Sequence, residues 1–334
     1  MTIKDKKTKA LNQSGAFLQI FVLTELIKRN WDVEIETPRT FAPFVEDPIN
    51  KREILFRGNP NILESSEFPE AVSQSQDPTH RNETSLDIYA GKVILFGTKT
   101  ATIRLCIEVK KNDPRYVDWC FFQQEKQQGS MRIITNCIRS IGRVDLFRVP
   151  PASRHSNDIF VQTHQLKNWK PLDNQISDFA LALHGEEINK EYYRSEKTRV
   201  DEAARQIIKG TYGTIVDHIV HQVVTGQGYS HNPDVFIPVI VINANLFLCE
   251  FNAKDIDSKS GQIKKDPKYI PLDSIIYEYP KPKEVQFPAP LAGNLDSLSR
   301  RYAQKWHILI TSPNGFVNLL ENIGDGSEKL EPDF

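Results

Sequence analysis

The sequence predicts an α/β protein, a mixed β-sheet flanked by helices, and three observations carry that expectation. Helical and extended apolar patterns alternate along the chain. Two short strands in its first third place acids among core residues. No clear linker divides the 334 residues, a length that can bury one large core or two modest ones. One elaborated domain over residues 1–334 is expected.

The first helix is expected over Gln13 to Asn30, followed by a strand from Asp32 to Thr37. At about 100° per residue, Ala16, Ile20, Leu23, Leu26 and Ile27 form its apolar arc. Gln19 falls inside that arc and wants a partner, whereas Glu25 sits almost opposite it and reads as a solvent residue. Residues 39–84 hold Pro43, Pro48, Pro60, Pro69 and Pro78, a long excursion of the kind that is functional or disordered. Ser85 to Lys111 then reads as a hairpin, and Asn112 to Phe122 closes on two adjacent aromatics. A helix is expected over Met131 to Ile141 and a strand over Arg143 to Val149.

Further on, Thr198 can cap a second long helix, with Asp201 and Glu202 in its first turn. Val200, Ala203, Ala204, Ile207, Ile208, Ile215, Ile219 and Val223 supply its stripe, and Gly226-Gln-Gly228 stops it. Val235 to Ile242 and Asn245 to Phe251 read as a strand pair about a tight Asn-rich turn. A strand over Ser274 to Tyr279, a stiff connector over Pro280 to Pro290, a last strand over Trp306 to Thr311 and a helix over Gly315 to Ile323 complete the chain.

Composition narrows the function classes. Hydrophobic residues make up 39% and charged residues 25%, ordinary for a soluble globular protein. The charged start, Met1 to Lys9, has no apolar run, so no signal peptide is expected. The longest apolar stretch, Val235 to Cys249, is broken by Pro238, Asn243 and Asn245 and is too short for a bilayer. No membrane partner is expected. Cys106, Cys120, Cys137 and Cys249 lack CxxC spacing, which suits buried thiols in a reducing cytoplasm. A net charge of -1 argues against coating nucleic acid through bulk charge but leaves room for a local basic stripe. Lys126, Arg132, Arg139, Arg143, Arg148 and Arg154 face only one acid, Asp145, within residues 126–154.

The chemistry is concentrated on the hairpin. Read as a strand, residues 102–110 send Ile103, Leu105, Ile107 and Val109 to one face. Thr102, Arg104, Cys106, Glu108 and Lys110 go to the other, so a carboxylate and an amine project side by side, roughly 6.6 Å apart. One strand earlier, Leu86-Asp87-Ile88 sets an acid between two core residues. Clustered carboxylates suit a hard, oxygen-seeking cation such as magnesium, and a lysine beside them suits anionic chemistry. Phosphodiester hydrolysis needs both: positive charge where negative charge accumulates, and a nucleophile at neutral pH. On this reading Asp87 and Glu108 hold the metal, the Val109 carbonyl is a third ligand, and Lys110 activates or places the water.

Other motifs point less sharply. His218 and His221 lie three apart on the second long helix, without a carboxylate triad or cysteine nearby, and read as a paired surface or core role. Thr225-Gly-Gln-Gly-Tyr-Ser lacks the lysine and spacing of a phosphate loop. Trp119, Phe121 and Phe122 read as core before base-stacking.

The order helix, strand, long excursion, Asp-bearing strand and Glu-x-Lys strand resembles the PD-(D/E)XK nuclease superfamily, whose core is the restriction-endonuclease-like fold. The residues that carry the resemblance are Ser85-Leu-Asp87-Ile, Ile107-Glu108-Val109-Lys110-Lys111 and Gly15-Ala-Phe-Leu-Gln19, within residues 13–122. Residues 113–122 also look like a run found in uncharacterised bacterial members. The resemblance implies a magnesium-dependent endonuclease acting on DNA, with manganese as a substitute ion. It also implies Asp87 and Glu108 as ligands, Lys110 as the water-directing group and Gln19 as the auxiliary helix residue. Many members have Glu at the Gln19 position, and Leu86 stands where the family often has Pro. Lys111, Arg132, Arg139 and Arg143 are the candidate DNA contacts. Residues 123–334 would extend the sheet, shape the cleft or support a homodimer that sets one site on each strand of a duplex. Two rivals stay open: a member of this fold that binds nucleic acid or partners without cleavage, and an interaction protein in which Glu108 and Lys110 form an ordinary ion pair.

Overall fold

The computed structural model describes residues 15–41, 45–47, 52–54, 82–96, 99–110, 118–124, 134–140, 159–165, 176–177, 179–185, 193–225, 234–280, 282 and 305–324. In chain order the elements begin with α1 (Ala16–Lys28), β1 (Asp32–Phe41), β2 (Val45–Asp47), β3 (Arg52–Ile54), β4 (Asn82–Phe96) and β5 (Lys99–Lys110). Next come β6 (Asp118–Gln124), β7 (Ile134–Ser140), β8 (Ile159–Gln165), β9 (Ile176–Ser177), β10 (Phe179–Gly185), β11 (Tyr193–Glu196) and α2 (Lys197–Thr225). The remainder is β12 (Asp234–Ile242), β13 (Asn245–Phe251), β14 (Lys268–Leu272), β15 (Ser274–Pro280), β16 (Lys305–Thr311) and α3 (Pro313–Gly324). The architecture is α/β, with mixed sheets flanked by helices.

A nine-stranded sheet runs β1-β4-β5-β12-β16-β15-β9, with β7 beside β12 and β8 beside β7. β1, β4 and β5 form an antiparallel meander, and β12 lies parallel to β5, from Asp234 opposite Thr102 to Ile242 opposite Lys110. All nine residues of β12 are buried, as a central strand covered on both faces requires. A five-stranded sheet, β11-β10-β6-β13-β14, stands beside it.

Two cores occupy the two faces of the larger sheet. On one face Val22 and Leu26 of α1 and Phe316, Leu319, Leu320 and Ile323 of α3 pack on Ile103, Leu105, Ile107, Val235 and Val239. On the other face α2 brings Val200, Ala203, Ala204, Ile207 and Ile208 against Leu86, Cys106, Phe236 and Ile240. That second core also takes in Trp119, Phe121, Leu246 and Leu248 from the smaller sheet, so one apolar interior joins the two sheets and α2. Period-two alternation along β5 is therefore realised: its odd residues serve one core and Cys106 the other.

Several expectations need correction. Residues 131–141 were expected as a helix, but Ile134–Ser140 is a strand that pairs with both β8 and β12. The β-branched residues Ile133, Ile134, Thr135 and Ile138 favour that outcome. β12 and β13 do not pair with each other; the turn at Asn243 carries the chain from one sheet into the other. Thr198 lies inside α2, which starts at Lys197.

The buried face of α1 is also rotated from the expected arc. Val22, Glu25 and Leu26 are buried, while Ile20 is 54% exposed and Ile27 64%. Glu25 is no solvent residue: Lys28 reaches it at 2.8 Å, and Arg29, at 2.5 Å from Glu25, also reaches Glu321 of α3 at 3.0 Å. Those two cations hold the Glu25 carboxyl below the usual carboxylate range. A paired carboxylate can thus occupy a helix–helix seam that a hydrophobic wheel assigns to leucine.

Arg139 belongs to β7, whose side chains lie outside the described residues, as do Lys111, Arg132, Arg143 and the strand expected over Arg143 to Val149. His218 and His221 fall on α2 where side chains are likewise outside the description.

Candidate active site

The parallel strands β5, β12 and β16 end together, with Val241 opposite both Val109 and Thr311. Crevices at the carboxyl ends of such strands are where open α/β sheets bind ligands. Glu108 and Lys110 occupy that end of β5, on the face covered by α2. The alternation that buries Ile107 in one core leaves Glu108 no choice but the other.

Glu108 is 1% exposed. Its Oε1 lies 2.5 Å from Lys110 Nζ. The same ammonium donates to Oε1 of Gln206 on α2 at 2.7 Å. Glu108 Oε2 is buried and has no hydrogen-bond partner among the described residues. A buried carboxylate oxygen without a donor is costly, which marks this atom out.

Asp87 reaches the site from β4. The ladder between β4 and β5 closes at Ile88 opposite Ile107, and beyond it the Asp87 Oδ2 accepts the Val109 N–H at 2.7 Å. A side chain thus takes a bond that a strand would otherwise take, so the two strands part where the acids sit. Leu86 packs in the α2-side core and Ile88 in the opposite one, although two residues apart on a regular strand they would share a face. The chain departs from the regular pleat at Asp87. Because a strand residue sends its N–H and C=O to the same neighbour, the Val109 carbonyl also points towards the Asp87 side.

Burial and, after it, the negative charge of Asp87 raise the Glu108 carboxyl while Lys110 pulls the other way, and the balance lifts it to about 7. The influence of Asp87 places the two acids in electrostatic contact. Two carboxylates, one with a buried oxygen unsatisfied among the described residues, and a backbone carbonyl on the Asp87 side are ligand types that suit a hard cation, because magnesium needs one or two carboxylates and otherwise keeps water and phosphate oxygens. Among the described residues no group of three or more His, Cys, Asp and Glu side chains is placed to hold a metal, so such an ion would rest on this smaller set.

The site residues expected from the sequence divide accordingly. Asp87, Glu108, Val109 and Lys110 are brought together. Gln19 is half-buried on α1, which packs on the face opposite α2, and it makes no hydrogen bond to Asp87, Glu108 or Lys110. The glutamine that does touch Lys110 is Gln206, which the sequence reading passed over. Its signal was faint: on a helical wheel Gln206 flanks the stripe of Ala203, Ile207 and Gly210, next to Gly210, where a polar residue borders the apolar face. Trp119 and Phe121 are buried in the core, 2% and 0% exposed, and so unavailable for stacking on bases.

No helix among the described residues is long and apolar enough to cross a membrane. No family model, curated protein or solved structure matches the chain.

Proposed function

We propose that the chain is a divalent-metal-dependent endonuclease that hydrolyses phosphodiester bonds in DNA. The observation that carries this reading is the buried Oε2 of Glu108, without a hydrogen-bond partner among the described residues, on a carboxylate that feels the charge of Asp87 and whose Oε1 meets Lys110. The order of elements supports it as well: a helix, an antiparallel meander of β1, β4 and β5, and then α2 leading to β12 parallel beside β5. That order is compatible with the restriction-endonuclease-like core that the PD-(D/E)XK resemblance implies.

In this reading Asp87 and Glu108 supply the oxygens that hold magnesium or manganese, with the Val109 carbonyl beside them. The ion, when bound, polarises a phosphoryl oxygen and acidifies a water. Asp87 also fixes the Val109 backbone through its N–H, so one residue both binds and sets the spacing of the strand ends. Lys110 places a positive charge beside the anionic phosphate and holds the attacking water with an N–H. The low exposure of Glu108 keeps the charge–charge terms strong by excluding water. Cys106, Cys120 and Cys249 are free and buried, which suits the reducing cytoplasm where such an enzyme would work.

A second reading is favoured by one observation, the closed contact of Lys110 on both Glu108 and Gln206. A module that kept the fold and binds nucleic acid without cutting it would retain that pair as a structural bridge. Incubating supercoiled plasmid and linear single-stranded DNA with magnesium or manganese separates the two. Cleavage by wild type should fall by a factor on the order of a hundred in Asp87→Ala and in Lys110→Ala. Equal products from all three proteins would overturn the hydrolytic reading.

A further inference from the structure

The ammonium of Lys110 has three N–H donors. Glu108, two residues back on the same strand, takes one at 2.5 Å, and Gln206, from a helix far along the chain, takes another at 2.7 Å. Among the described residues no other acceptor meets it. A lysine held by Glu108 alone could pivot about that contact, since four rotatable bonds connect the amine to the backbone. A second acceptor from a rigid helix removes that freedom and directs the third N–H. We propose that Gln206 is a positioning residue that holds the Lys110 amine in place for the attacking water. The proposal rests on the hydrolytic reading above and deepens it.

The way α2 packs supports a dedicated role. Gln206 is half-buried at the edge of the helix face that carries Ala203 and Gly210, both buried against the sheet. Four residues on from Gln206, Gly210 lets the helix settle onto β4, since a Cβ there would stand 2.3 Å from Leu86 Cδ2. That close approach brings the preceding turn down towards the end of β5. It also ties the helix to the residue before Asp87, so one helix face touches both acid-bearing strands. A half-buried polar side chain at the rim of an apolar face is not required for packing, since an apolar residue of similar shape would fill the same space. Gln206 is therefore poorly explained by packing alone.

The test compares full-length wild type with Gln206→Met, which keeps the shape and loses the acceptor, and Gln206→Glu, which keeps an acceptor. Single-turnover nicking of supercoiled plasmid with manganese should slow about tenfold in Gln206→Met, with unchanged plasmid affinity and an unchanged melting temperature. Gln206→Glu should stay within about threefold of wild type. In parallel, acetylation of Lys110 by an N-hydroxysuccinimide ester, without DNA, should rise severalfold in Gln206→Met only. The inference is overturned if Lys110 is acetylated at the wild-type rate in Gln206→Met, whatever happens to cleavage, because any loss would then not act through Lys110. A wild type that nicks nothing overturns the hydrolytic reading, and the acetylation arm still decides whether Gln206 holds the amine.

Discussion

Strand β5 carries two ionic clusters on one face, and they are built to opposite rules. Near its start Arg104 donates through Nε to Asp234 Oδ1 at 2.6 Å and through Nη1 to the Tyr89 hydroxyl at 2.5 Å, with its guanidinium 5.9 Å and 6.0 Å from the ring centres of Tyr89 and Phe236. Burial works against the Arg104 charge, but Asp234 and Tyr89 more than offset it and raise its proton affinity; burial pushes the Tyr89 hydroxyl up to about 12. Four residues later Glu108 keeps a buried oxygen with no donor among the described residues, and burial lifts its carboxyl instead of settling it. On one strand face, then, one buried charge has each partner matched and the other lacks one among the described residues. Residue type alone does not separate the two cases; hydrogen-bond satisfaction does.

The largest effect that sharpens this contrast lies at the satisfied end. Arg104→Met removes the cation beside Asp234, which is 4% exposed, and should cost about 3–5 kcal/mol in urea unfolding. A loss under about 1 kcal/mol would mean that the cluster is not the matched pair its geometry describes.

At the open end the sign reverses. For Glu108 the folded-state carboxyl is raised to about 7 from 4.5, so the stabilising preference for the protonated form is full below about 4.5 and is lost as pH rises through 7. Glu108→Gln cannot ionise. Without metal it should match wild type near pH 4 and exceed it by on the order of 2–3 kcal/mol at pH 8. Parallel stability curves from pH 4 to pH 8 would show that Glu108 is not the strained group of the site. A smaller effect should follow from the ion itself. Magnesium at ten times its dissociation constant adds about 1.4 kcal/mol, a rise of roughly 3 °C in melting temperature, to wild type and not to Glu108→Gln.

The shared face of these residues was legible in the sequence, and the reason is period two. Alternation from Thr102 to Lys110 assigns each side chain to a face before any fold is known, and Asp87 between Leu86 and Ile88 announces a second acid. What alternation cannot supply is the identity of the element across each face. The wheel of α1 put Gln19 inward, yet helix α1 buries Val22, Glu25 and Leu26 and lies on the far side of the sheet from Gln206. Lys110 and Gln206 are 96 positions apart, so only the tertiary fold joins them. Similarly, Asn243 reads as a hairpin turn locally and becomes a passage between sheets because β12 is claimed on both edges, by β5 on one side and by β7 and β16 on the other. The residues 131–141 failed for a different reason: their apolar spacing is compatible with a helix, and strand partners far away in sequence decided the outcome.

The most direct measurement is a manganese titration of the full-length protein at pH 8, followed by electron paramagnetic resonance of the free ion. The account predicts saturable binding in wild type that is lost in Glu108→Gln and retained in Arg104→Lys. Binding of equal strength in wild type and Glu108→Gln, or none in wild type at millimolar manganese, would contradict it.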